Sequence, residues 1–73
     1  MALIEVKTEV AGIVWQIVAG VGEAVSEDDP VIILESMKME IPVSAPASGT
    51  VSEILVAEGE TVAEGDVVAR IRT

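Results

Sequence analysis

The chain has 73 residues, with thirteen acids against four bases for a net charge of −9, no cysteine, no histidine, and Trp15 as its only aromatic residue. That inventory excludes thiol nucleophiles, Ser–His relays, imidazole bases and zinc sites of the usual N/S kind. The acid excess disfavours nucleic acid and anionic membrane surfaces as partners. A chain of fewer than ~80 residues that lacks a disulfide must rely on regular packing, and the length fits one domain over residues 1–73.

In chain order, Ile4, Val6, Thr8 and Val10 alternate with Glu5, Lys7 and Glu9, the period-2 pattern of a half-buried strand. Val10–Gly22 follows as the longest uncharged stretch, thirteen residues interrupted by Gly12, Gly20 and Gly22. It falls short of the ~20 residues that a membrane helix needs. The first nine residues include Glu5, Lys7 and Glu9, unlike the basic start of a secretory signal. The expectation is a soluble, cytoplasmic protein, monomeric on its own.

Gly22 and Gly59 predict short turns that need positive φ. Val31-Ile-Ile-Leu34 reads as a short strand buried on both faces. Pro42 limits its segment to a sheet edge or a strand end. A helix through Ser52–Arg70, which is rich in Ala and Glu, competes with strands there. Gly59 and Gly65 fall inside it at about 1 kcal/mol each, and strand is the better reading.

One internal offset, of 37 residues, organises the chain. Residues 12–34 lie over 49–71 without a gap, and nine of the twenty-three pairs are identical, including Gly12/Gly49, Gly22/Gly59, Asp29/Asp66 and Val31/Val68. Two copies are too few for a solenoid and predict two halves related by a pseudo-two-fold axis. The whole then reads as a small all-β sandwich or barrel. Shifting residue 38 by the repeat length lands on the chain ends, so residue 38 is expected at one pole and the termini at the other. Trp15 pairs with Ser52 and receives no role from the sequence.

At residue 38 stands Glu35-Ser-Met-Lys-Met-Glu40, joining Val31–Leu34 to Ile41-Pro-Val43. It reads as a hairpin tip without the Gly, Asn or Asp that a tight turn favours. Strand alternation puts Met37 and Met39 on one side, flanking Lys38. Core filling is the common use of methionine, but recognition by a partner is the better reading at a tip. A local rule broken at a tip marks a candidate functional site. Lys7, on the outward side of its strand, reads as a solubilising charge.

This hexapeptide resembles the attachment motif of biotinyl domains, whose signature is Met-Lys-Met on a hairpin. Gly22-Glu-Ala-Val25, Gly59-Glu-Thr-Val62-Ala-Glu-Gly65-Asp66 and Ala45-Pro-Ala-Ser-Gly49-Thr-Val51 are similar to the family's flanking segments. The resemblance spans nearly the whole chain and is closest to stand-alone single-domain biotin/lipoyl attachment proteins. It implies an all-β fold, a flattened barrel-sandwich of two four-stranded antiparallel sheets, with Lys38 on an exposed hairpin. Three departures stand out. Ser36 replaces the usual alanine, Asp28 falls where the second half has Gly65, and the gapless repeat leaves no room for the "thumb" loop of some bacterial carriers.

The resemblance also implies the chemistry. The chain is a carrier, not an enzyme. A lysine amine attacks only when unprotonated, and neighbouring Glu35 and Glu40 favour the ammonium form. A biotin protein ligase is therefore implied, presenting biotin as its acyl-adenylate. Biotin on Lys38, with Met37 and Met39 as recognition contacts, then carries carboxylate between a biotin carboxylase and a carboxyltransferase. Lipoate is the less favoured cofactor, since lipoyl domains typically carry Asp-Lys-Ala at the tip. An unmodified barrel-sandwich interaction module is the remaining alternative.

Overall fold

The computed structural model describes residues 2–73. Eight strands are formed: β1 (Leu3–Lys7), β2 (Gly12–Ile17), β3 (Ala24–Val25), β4 (Pro30–Ser36), β5 (Met39–Ser44), β6 (Gly49–Ile54), β7 (Thr61–Val62) and β8 (Val67–Arg72). They make two four-stranded antiparallel sheets, in the orders β1-β8-β6-β3 and β5-β4-β2-β7. The segment Ser52–Arg70 holds strands and turns, not a helix.

The 37-residue repeat is the symmetry of the fold. Adding or subtracting 37 carries β5 onto β1, β4 onto β8, β2 onto β6 and β7 onto β3, so each sheet maps onto the other strand by strand. Buried pairs follow the same operation. Val31 and Val68, Ile32 and Ala69, and Leu34 and Ile71 are all fully buried, and Val14 and Val51 are nearly so. Each large aliphatic side chain removed from water contributes about 1.5–3 kcal/mol, so the two inward faces supply most of the driving force. Ile33, within the apolar run, is only half-buried. The fold has two layers, and nothing covers the outer side of that sheet, so burial on both faces stops short at Ile33.

Four symmetry-paired turns carry the chain between the two sheets. Glu23 and Glu60 donate backbone N–H groups to the carbonyls of Gly20 and Ala57, and Asp29 and Asp66 do so to Ser26 and Ala63, at 3.0–3.1 Å. The third residue of each turn has positive φ: Gly22 at 93°, Gly59 at 90°, Asp28 at 74° and Gly65 at 88°. That is the sign a type II turn requires. Asp28 thus carries left-handed backbone where its partner half uses glycine. Carboxylates close three of the turns: Asp29 accepts from Ser26 N–H, Asp66 from Ala63 N–H and Glu60 from Ala57 N–H, at 2.8–3.0 Å. The identical Asp29 and Asp66 are therefore turn caps, as is Glu60 in the second half.

The first strand is shorter than its alternation predicts. Thr8 is buried, and its hydroxyl donates to the Val10 carbonyl at 2.7 Å while accepting from the Val10 N–H at 3.1 Å. This local loop satisfies the backbone that a continuing strand would have to pair, and β1 ends at Lys7. Pro42 lies on β5, an edge strand, where its missing N–H leaves no central ladder broken.

Candidate functional site

β4 and β5 form a hairpin whose last paired residues are Ser36 and Met39. Only Met37 and Lys38 lie between them, and both are left-handed, with φ of 52° and 64°. Positive φ at both central residues is the signature of a type I′ turn, the connection whose twist matches two antiparallel strands. Neither residue is glycine, asparagine or aspartate, so each carries a backbone strain of about 1–2 kcal/mol. Local preference is overridden at this tip by the strand register on either side.

The turn corrects one expectation. Met37 and Met39 are not placed on one side by strand alternation, because the strand is broken between them and Met37 belongs to the turn. Met37 is 88% exposed and Met39 57% exposed, so neither fills the core. Lys38, also exposed, is the outermost position of the hairpin and forms no ion pair among the described residues. Glu35 and Glu40 are directly opposed across the hairpin. They face each other on the outer surface and do not clamp the lysine. Like charges opposed on a sheet are destabilising by a few tenths of a kcal/mol.

The remaining cations stand elsewhere. Lys7 and Arg70 lie on the other sheet, where Arg70 bridges Glu53 at 3.1 Å and Glu5 at 4.0 Å and Lys7 approaches Glu5 at 3.9 Å; Arg72 also lies on that sheet. Lys38 is thus the one basic side chain on the sheet of β5, β4, β2 and β7. No group of three or more potential metal ligands occurs among the described residues. A free, exposed primary amine on a rigid support is a fitting acceptor for a group attached through an amide bond.

If the strain at the tip serves presentation, Met37→Gly should relieve it. The thermal midpoint is expected to rise by about 2–8 °C, after allowing for the greater unfolded-state freedom of glycine. Calorimetry of the unmodified protein checks this, and a fall in midpoint would show that the methionine side chain stabilises the turn.

Sequence reasoning missed the close approach that sets β2 against β4 and β6 against β8. A Cβ on Gly12 would lie 2.8 Å from the Glu35 carbonyl oxygen, and one on Gly49 would collide with the Arg72 carbonyl oxygen. Glycine at these mates lets β2 and β6 lie close against β4 and β8. Their identity in the repeat was the available signal.

The fold is a two-layer β scaffold with one isolated amine at the tip of a strained hairpin, a geometry suited to a carrier-type attachment domain. The profile of a family described as "Biotin-requiring enzyme" matches residues 3–71. The chain belongs to this biotin/lipoyl family. It is 39% identical over 67 residues to a "Biotinylated protein TB7.3 homolog" of Mycobacterium leprae, covering 92% of this chain and 94% of that protein. It is 42% identical over 66 residues to the "Biotin/lipoyl attachment protein" of Bacillus subtilis, covering 90% of each. Among solved structures, the urea carboxylase of Kluyveromyces lactis superposes with a TM-score of 0.93 at 42% identity. That match covers 99% of this chain and 6% of the carboxylase. No helix among the described residues is long and apolar enough to cross a membrane.

Proposed function

We propose that the chain is a biotin carboxyl carrier, a single domain over residues 1–73, modified on Lys38 by a biotin protein ligase. The observation that carries this reading is the two-residue left-handed turn, which holds Lys38 at the outermost point of the hairpin between two exposed methionines. In the modification, the unprotonated Nζ attacks the acyl carbon of biotinyl-adenylate. A C–N bond forms, the C–O bond to the phosphate breaks, AMP leaves with the electron pair, and the amine gives up a proton. Once attached, the group supplies a ureido nitrogen able to carry carboxylate on a flexible arm.

This chain contributes position. Amide formation removes the only positive charge of the hairpin sheet, so the tip becomes neutral while Glu35 and Glu40 keep their charge. The stiff hairpin holds the attachment point clear of the body, and tethering raises the effective concentration of the arm at a partner's site. A biotin carboxylase and a carboxyltransferase are the partners this reading calls for, in a cytoplasmic setting with the carrier monomeric between encounters. The exposed Met37 and Met39 serve as contacts for the modifying enzyme.

Lipoylation is the second reading, and the shared family favours it enough to be tested. Intact-mass measurement of the protein co-expressed with a biotin protein ligase and excess biotin distinguishes the two. A single biotinyl increment, localised to Lys38 by peptide fragmentation, is the expected result. A lipoyl increment or an unmodified mass would overturn the proposal.

A further inference from the structure

The pseudo-two-fold gives every outward position on one sheet a counterpart on the other, so the two outer surfaces can be compared site by site. On the sheet of β1, β8, β6 and β3 these positions are mostly polar, with Leu3 on the edge strand the exposed apolar exception. Thr50, Ser52, Arg70 and Arg72 face outward there, with Arg70 linked to Glu5 and Glu53. At the equivalent sites on the hairpin sheet stand Ile13, Trp15, Ile33 and Glu35, and Pro42 replaces Glu5. Ile13 is 46% and Trp15 49% exposed. The fold therefore tolerates polar residues at these sites, because its own second half uses them.

A bulge builds this face. The β2–β4 register shifts between Val14 and Gln16, so Trp15 is the extra residue. Val14 is buried and Ile17 packs against the core, whereas Trp15 and Gln16 between them are both exposed. Two successive side chains thus stand on the outer surface, and the Trp15 side chain is left about half exposed. β6 repeats the shift between Val51 and Glu53, with Ser52 in the place of the tryptophan.

We infer that this face is a docking surface for the ligase that acylates Lys38, and that Trp15 is its apolar anchor. The inference rests on the proposed biotinylation. Two arguments assign the occupant. Ile13 is opposite Glu35, three residues from Lys38, so at ~3.3 Å per residue Ile13 and Trp15 lie within roughly 10–17 Å of the Lys38 backbone. Before modification there is no long arm, and the enzyme must bring its acyl-adenylate to a lysine side chain. It has to close over the tip and reach this face. After modification, the arm lets partners work at a distance from the sheet. The second argument is charge. Glu35 and Glu40 flank the apolar residues and Lys38 is the only base nearby, so the complementary surface has an apolar centre and a basic rim.

The test uses the unmodified full chain with purified biotin protein ligase, biotin and ATP. Trp15→Ser copies the residue of the opposite sheet at an exposed site, and Thr50→Ala is the control on that opposite sheet. Trp15→Ser is expected to lower kcat/KM for biotin incorporation roughly 10- to 100-fold, as loss of an aromatic interface anchor does. The change should fall mainly on KM, the thermal midpoint should stay within a few degrees, and Thr50→Ala should leave the rate unaltered. Because Trp15 is the only aromatic residue, 5-fluorotryptophan gives a single 19F resonance, expected to shift or broaden when ligase is added. An unperturbed resonance together with an unchanged rate, while wild-type Lys38 still gains biotin, would overturn the docking surface and leave biotinylation standing. Failure of wild-type Lys38 to gain biotin would overturn both. A resonance that responds to a biotin carboxylase but not to the ligase would overturn the assigned occupant.

Discussion

Lys38→Arg is expected to abolish cofactor attachment completely while leaving the fold unchanged. Arginine keeps the positive charge, the side-chain bulk and the same backbone preference at φ 64°. What it lacks is a nucleophile, since a guanidinium is not deprotonated in proteins. The loss should exceed about 100-fold, because the step needs a free amine lone pair and no neighbouring group supplies one. Intact-mass measurement after co-expression with ligase reads the result directly, and circular dichroism confirms the fold. Lys7→Arg is the matched control. Lys7 lies on the other sheet, 3.9 Å from Glu5, and its replacement should leave labelling complete. A biotinyl increment on Lys38→Arg would move the attachment site elsewhere and remove the hairpin from the mechanism.

Gly49→Ala should produce the largest loss of stability among single methyl additions. A Cβ at this position meets the carbonyl oxygen of Arg72 and comes within 2.7 Å of Ile71 Cγ2. β6 and β8 are the central strands of their sheet, so neither can retreat without opening a ladder. Ile71 is fully buried and has little space into which to rotate. Overpacking of this kind costs about 1–3 kcal/mol. Small domains hold about 3–5 kcal/mol in total, so the thermal midpoint is expected to fall by about 10–20 °C. Gly20→Ala is the comparison, since a Cβ there would meet only Glu23 Oε1 at 3.8 Å. Equal midpoints for the two variants, measured by calorimetry, would contradict the close strand approach.

The repeat explains why so much of this architecture was legible. A 37-residue offset with conserved glycine and aspartate spacing specifies the same turn chemistry twice, and each copy checks the other. Positive φ at Gly22 and Gly59 and the burden on Asp28 followed from that comparison. The exposed hairpin at Lys38 was legible because six contiguous residues resemble a family motif at a place where the repeat has no strand to continue. Other features left no trace in the pattern. The bulges at Trp15 and Ser52 occur in both halves at mated positions, so they cancel in the alignment and produce no gap. Thr8 looks like one more inward strand residue, and only its hydrogen bonds to Val10 show that the ladder has ended. The side-by-side placement of Met37 and Met39 failed because alternation was carried through a turn. Period 2 describes extended backbone and says nothing about a left-handed pair.

The pairing of the chain ends has a consequence for how such a unit joins other chains. Thr73 N–H donates to the Ala2 carbonyl at 2.9 Å, and Leu3 is paired with Arg72. Under the two-fold, these contacts are the mates of the Ser36–Met39 and Glu35–Glu40 pairs. Where one half closes its hairpin with a strained two-residue turn, the other brings Ala2 and Thr73 side by side. Polypeptide added before residue 2 or after residue 73 would therefore leave through a doorway shaped like the attachment turn itself, on the sheet that does not carry Lys38. The unit can be threaded into a longer chain with the exposed Lys38 amine undisturbed, much as a bead keeps its painted side outward whichever string passes through it.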